Sequence, residues 1–234
     1  RVLISLISYT CTGYIVYMND GAGGSQLSTV ACDGTGSTTA GCSVGGLAGG
    51  QEYVFAVSAL SAAGEGDRSS TLAVSTAPAA VAGMSSDGQT TSSIDLSWDG
   101  LVASGGSATT GYVVYRSDGA GGTDHGIVAY DGTGSTATTA TVTGLEGGRL
   151  YSFVVRGLSA AGEGALSEAF TQSTSPGAPS GLASVSQTTS SITLEWTAPA
   201  EHGGDSVSEF VLYMDNGSGE SAAVSTEAYR GALS

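Results

Sequence analysis

The feature that most constrains this chain is that it repeats itself at a fixed offset of 98 residues. Gly13-Tyr14 returns as Gly111-Tyr112, Pro78 as Pro176, and Trp98 as Trp196. Asp20-Gly21-Ala22-Gly23-Gly24 returns as Asp118-Gly119-Ala120-Gly121-Gly122, and Asp33-Gly34-Thr35-Gly36-Ser37 as Asp131-Gly132-Thr133-Gly134-Ser135. Leu60-Ser61-Ala62-Ala63-Gly64-Glu65-Gly66 returns as Leu158-Ser159-Ala160-Ala161-Gly162-Glu163-Gly164. A period this long is a whole domain rather than a solenoid unit, so the chain reads as an array of modules.

Within one period, apolar and polar residues alternate between clusters of turn residues, and helical periodicity is absent. Ser93-Ile94-Asp95-Leu96-Ser97-Trp98 turns Ile94, Leu96 and Trp98 to one face. Tyr112-Val113-Val114-Tyr115 and Tyr151-Ser152-Phe153-Val154-Val155 add Tyr112, Val114, Tyr151, Phe153 and Val155 to the inward set, with Leu145 and, one period on, Trp196. With 38 Gly and 12% charged residues, a helical or coiled-coil protein is improbable. The expected fold class is all-β: sandwiches whose apolar faces are buried against each other.

The order of motifs resembles the fibronectin type III domain, an Ig-like β-sandwich. A Pro-rich start, Ser175-Pro176-Gly177-Ala178-Pro179, precedes Ser191-Ile192-Thr193-Leu194-Glu195-Trp196 with its core Trp. Gly111-Tyr112-x-Val114-Tyr115 matches the third strand, Gly144-Leu145 is followed six residues later by Tyr151, and Ala161-Gly162-Glu163-Gly164 matches the late turn. The Leu-to-Tyr spacing, repeated by Leu47 and Tyr53, implies the family's tyrosine corner, in which the phenol bonds back to the chain at the turn. Gly49 and Gly147 replace the Pro usual in that corner, which is expected to loosen it. The resemblance divides the chain into a partial module at 1–76 with its first strands missing, a complete one at 77–174, and a partial one at 175–234 that stops before a tyrosine corner. Val2 to Ile7 is the one candidate for an early strand of module one. Two explanations fit such ends: an excerpt of a longer array, or neighbouring copies that complete each other by strand donation.

Chemistry-bearing residues are sparse. The only histidines, His125 and His202, lie in different turn regions, no metal-binding His/Cys spacing or nucleophile elbow is present, and catalysis is not expected. No cofactor is implied. The glycine-rich turns lie between strands rather than opening a helix, so they read as interstrand turns and not as phosphate loops. Asp20, Asp33, Asp118 and Asp131 are weak calcium candidates, since carboxylates beside turn carbonyls are hard ligands, yet no ligand ladder is present. Cys32 and Cys42 flank the Asp33 turn and are expected to pair as a disulfide, which places the chain in an oxidising compartment; Cys11 is left over. Three reduced thiols are the alternative. Asn216-Gly217-Ser218 is the one N-glycosylation sequon, and also a favoured turn.

Six arginines and no lysine against 21 acidic residues give a net charge of −15, which excludes nucleic acid as a partner. No apolar run is long enough to span a bilayer, and no leader peptide is legible. Short linkers at Thr76-Ala77-Pro78 and Ser175-Pro176-Gly177 are expected to hold the modules in an extended line. The function that follows is structural: a repeating segment of an extracellular filament or cell-surface protein, whose partners are copies of itself or neighbouring modules. The alternatives are an adhesion module that binds a glycan or protein, and the spacer of a secreted hydrolase.

Overall fold

The structure, a computed structural model, describes residues 11–102, 106–203, 206–215 and 226–232. The expected early strand at Val2 to Ile7 and the sequon at Asn216 lie outside the described residues. Among those described, all regular structure is β, and no helix is long and apolar enough to cross a membrane.

Module one contributes β1 (Gly13–Met18), β2 (Thr29–Asp33), β3 (Glu52–Ser61), β4 (Gly64–Glu65) and β5 (Leu72–Ser75). These form one antiparallel sheet in the order β2-β1-β3-β4, with β5 also on β3. Module two has β6 (Ser85–Gln89), β7 (Ser93–Ser97), β8 (Thr109–Arg116), β9 (Ile127–Asp131), β10 (Thr139–Thr143), β11 (Leu150–Ser159), β12 (Gly162–Glu163) and β13 (Phe170–Ser173). They make two layers: a three-stranded sheet β10-β7-β6, and a sheet β12-β11-β8-β9 with β13 also on β11. Module three contributes the hairpins β14 (Ser180–Gln187) with β15 (Ile192–Thr197), and β16 (Glu209–Met214) with β17 (Thr226–Ala232).

Module two shows why the alternation works. Ile94, Leu96 and Trp98 from one sheet meet Tyr112, Val114, Tyr151, Phe153 and Val155 from the other, and Val142 and Leu145 join them; all lie at 6% exposure or less. Trp98 packs edge-on to Tyr112, with ring centroids 5.7 Å apart. Burying such side chains is worth about 1.5–3 kcal/mol each and supplies the main stabilising term. The expected alternation fails at one place. In β11 the polar-face residues Ser152 and Val154 are buried as well, because β11 lies between β8 and β13 and His125 Nε2 comes within 2.9 Å of the Ser152 hydroxyl.

The expectation that Trp196 is a core residue needs correction. It is only half-buried, meeting Phe210 edge-on at 5.7 Å: among the described residues β15 pairs only with β14 and β16 only with β17, whereas β7 and β8 of module two are each flanked by a further strand, β10 and β11.

Candidate functional site

The tyrosine corners and the linkers beside them form one hydrogen-bonded unit that occurs twice. The buried Tyr53 phenol oxygen accepts from the Ala48 N–H at 3.0 Å, and Tyr151 accepts from the Glu146 N–H at 2.9 Å. Each turn then grips the chain that leaves its module. The Thr76 hydroxyl donates to the Ala48 carbonyl at 2.8 Å and accepts from the Gln51 N–H at 3.0 Å; Thr174 repeats this with Glu146 at 2.7 Å and Arg149 at 3.0 Å. The Gly50 N–H donates to the Ala77 carbonyl at 2.7 Å, and Gly148 to Ser175 at 2.8 Å. Gly50 and Gly148 have φ of 67° and 70°, the left-handed region that favours glycine.

Gly49 and Gly147, expected only to loosen the corner, instead allow close approach. A Cβ on Gly49 would sit 3.2 Å from the Ala79 Cα, and one on Gly147 would sit 3.2 Å from the Thr91 carbonyl oxygen. At the second junction the loop before β16 also reaches back. Arg149 pairs with Glu146 and with Glu201, both at 3.2 Å, and Ser173 donates to the Gly203 carbonyl at 2.6 Å. A Cβ on Gly148 would overlap the Glu201 backbone. The sequence marks Thr76 and Ser175 only as linker positions and Gly49 and Gly147 only as corner positions, although Thr76 and Thr174 stand one period apart.

The four candidate calcium ligands are engaged in their own turns. Asp20 and Asp118 accept the N–H groups of Ala22 and Ala120 at 3.0 and 2.9 Å. Asp33 accepts the N–H and hydroxyl of Thr35 at 2.9 and 2.5 Å, and Asp131 those of Thr133 at 3.0 and 2.7 Å. These threonine bonds hold both carboxyls below their usual range, the side-chain bond contributing most. Among the described residues no group of three or more His, Cys, Asp or Glu side chains is arranged to hold a metal ion.

A cleft of about 1120 Å3 lies in module three, lined by residues that include Ile192, Leu194, Trp196, Phe210, Leu212 and Tyr229. It resembles a ligand pocket, but five of these sit one period after Ile94, Leu96, Trp98, Tyr112 and Val114, the packed core of module two. The cleft is thus the inside of the third sandwich.

Flat exposed rings, which a sugar site needs, are scarce among the described residues of the other two modules. Tyr17 carries the Arg68 guanidinium 3.6 Å from its ring centroid, and Tyr115 carries Arg156 at 5.4 Å. Ser58 and Tyr17 donate to Glu65 at 2.6 and 2.8 Å and hold its carboxyl below the usual range.

The expected Cys32–Cys42 disulfide is absent from the structure. Both residues, and Cys11, are free thiols. The two nevertheless share a neighbourhood: the Cys32 thiol beside it, with burial, pushes the Cys42 thiol up to about 11.

Comparison with known proteins agrees with the geometry. The fibronectin type III domain family matches residues 78–173. Chitinase A1 of Niallia circulans is 39% identical over 139 residues, covering 55% of this chain and 18% of that protein. Exoglucanase B of Cellulomonas fimi is 28% identical over 222 residues, covering 86% of this chain and 18% of that protein. The chain thus spans less than a fifth of either relative. Among solved structures, a human FNIII domain determined in solution is 26% identical, with a TM-score of 0.37, covering 43% of this chain and 81% of that one. With its two-layer core, its tyrosine corner and the family match, the stretch 78–173 is a fibronectin type III domain, set in a chain whose described residues are all-β.

Proposed function

We propose that this chain is a non-catalytic spacer segment of an extracellular polysaccharide hydrolase, keeping the domains on either side of it at a set separation. The observation that carries this reading is the corner-to-linker unit, made with the same bonds at Thr76 and at Thr174, since a short linker fastened at both junctions restricts the swing between modules. Two further facts support it: the matched relatives are a chitinase and an exoglucanase, and Tyr17 and Tyr115 are capped by arginines rather than offered to a sugar. The excess of acid over base suits this role too, because like-charge repulsion favours an extended, soluble segment. A filament-forming array, with strand donation between copies, is less well supported: its best motive is the open cleft of module three, whose walls match the core positions of module two.

The test is a distance distribution between spin labels in modules one and three, together with sugar release from chitin and cellulose. A narrow distribution that widens in a Thr76→Val, Thr174→Val double variant, with no sugar released by the chain alone, is the expected result. A broad distribution in the unaltered chain, or hydrolysis by it, would sink the spacer reading.

A further inference from the structure

We propose that Cys32 and Cys42 are an oxidation site, and that a disulfide between them staples the segment 41–45 of module one onto β2. This inference does not depend on the spacer reading. Its ground is a difference between equivalent positions. In module two the places of Cys32 and Cys42 are held by Tyr130 on β9 and Ala140 on β10, both packed against the core. Ala140 is fixed there by strand pairing opposite Leu96. In module one, residues 41–45 belong to no strand, and Cys42 is exposed.

The segment is nonetheless already delivered to β2. Tyr14 on β1 donates its hydroxyl to the Gly41 carbonyl at 2.8 Å, next to Cys42, and its ring lies over Gly34, while the half-buried Cys32 stands opposite Val16, on the same face of the sheet as Tyr14. The third thiol is occupied apart from this pair: Cys11 donates to the Gly13 carbonyl at 3.1 Å. Tyr14, Cys32 and Cys42 therefore form a cluster that module two replaces with strand pairing and packing.

The oxidant is a low-molecular-weight disulfide such as oxidised glutathione. One cysteine thiolate attacks it and expels a thiolate; the second cysteine then attacks the mixed disulfide and expels another. Two protein thiols are oxidised, one disulfide is reduced to two thiols, and the protons pass to the departing sulfurs. Because the Cys32 thiol beside it, with burial, raises the Cys42 thiol above its ordinary value, its thiolate fraction, and with it attack through Cys42, rises with pH across the neutral range.

The experiment incubates the full chain in excess oxidised glutathione, alkylates the remaining thiols and maps the peptides by mass spectrometry. Cys32 and Cys42 are expected to be joined and protected while Cys11 is alkylated, and a Cys11→Ser variant is expected to keep the bond. Cleavage within residues 34–50 by a broad-specificity protease is expected to slow by roughly ten- to a hundredfold relative to Cys32→Ser, the range loop-closure entropy gives for a short loop. A bond involving Cys11, a bond between chains, or persistent alkylation of both Cys32 and Cys42 would overturn the site. A bond that forms but leaves cleavage unchanged would overturn the staple.

Discussion

Trp98 and Trp196 are the same residue one period apart, yet Trp98 is 4% exposed and Trp196 is half-buried. Their nearest aromatic partners are alike: each meets a ring edge-on at 5.7 Å, Tyr112 in one case and Phe210 in the other. What differs is the lid. In module two, Val142, Leu145, Tyr151, Phe153 and Val155 join the tryptophan in one buried cluster, and their positions one period on fall after residue 234. Strand pairing thus builds each wall of this sandwich, while its stability comes from side chains of wide, complete sheets buried against each other.

The largest expected effect tests that difference directly. Trp98→Ala should cost about 3–5 kcal/mol in denaturant-induced unfolding, and Trp196→Ala under about 2 kcal/mol, because only the first leaves an enclosed cavity. Equal losses would mean that the third module is closed in solution. Next comes Tyr151→Phe, which leaves the Glu146 N–H without its acceptor and should cost about 1–3 kcal/mol by the same measurement. Tyr53→Phe in module one should lose a similar amount if both corners are equally tight. Thr174→Val removes one bridging hydroxyl and should cost about 1 kcal/mol, with a larger effect on amide exchange at Arg149 than at Phe153. The smallest effect is that of pH. Asp33 and Asp131 have folded-state values below their unfolded ones, so each stabilises the chain above its unfolded value, and that stabilisation is lost as pH falls through the folded one. Asp131→Asn should flatten this acid limb, as followed by thermal melts between neutral pH and the acid range. An unchanged limb would show that the Thr133 bonds contribute nothing.

Much of this architecture is readable from the sequence because its cause is local and periodic. Alternation placed Ile94, Leu96 and Trp98 on one face, and the spacing of Leu145 and Tyr151 implied the corner, since both rest on which way neighbouring side chains point. Burial of Ser152 and Val154 was not legible, because it depends on which strands flank β11. Trp196 reads as core in sequence and is not, as a strand pattern says nothing about what lies over it. The hold of Thr76 and Thr174 escapes notice for another reason: a threonine before a Pro-containing linker looks like any turn residue until its hydroxyl is seen between two backbone groups. Gly49 and Gly147 show the same limit, since their role depends on a chain that passes close by.

The threonine clasps have a mechanical consequence. The contacts nearest the linkers are polar: the bonds at Thr76 and Ala77 on one side, and those at Thr174, Ser175 and Ser173–Gly203 on the other. Tension along the chain would therefore load these hydrogen bonds before the buried apolar core of module two, so that the junctions act as the first elements to yield.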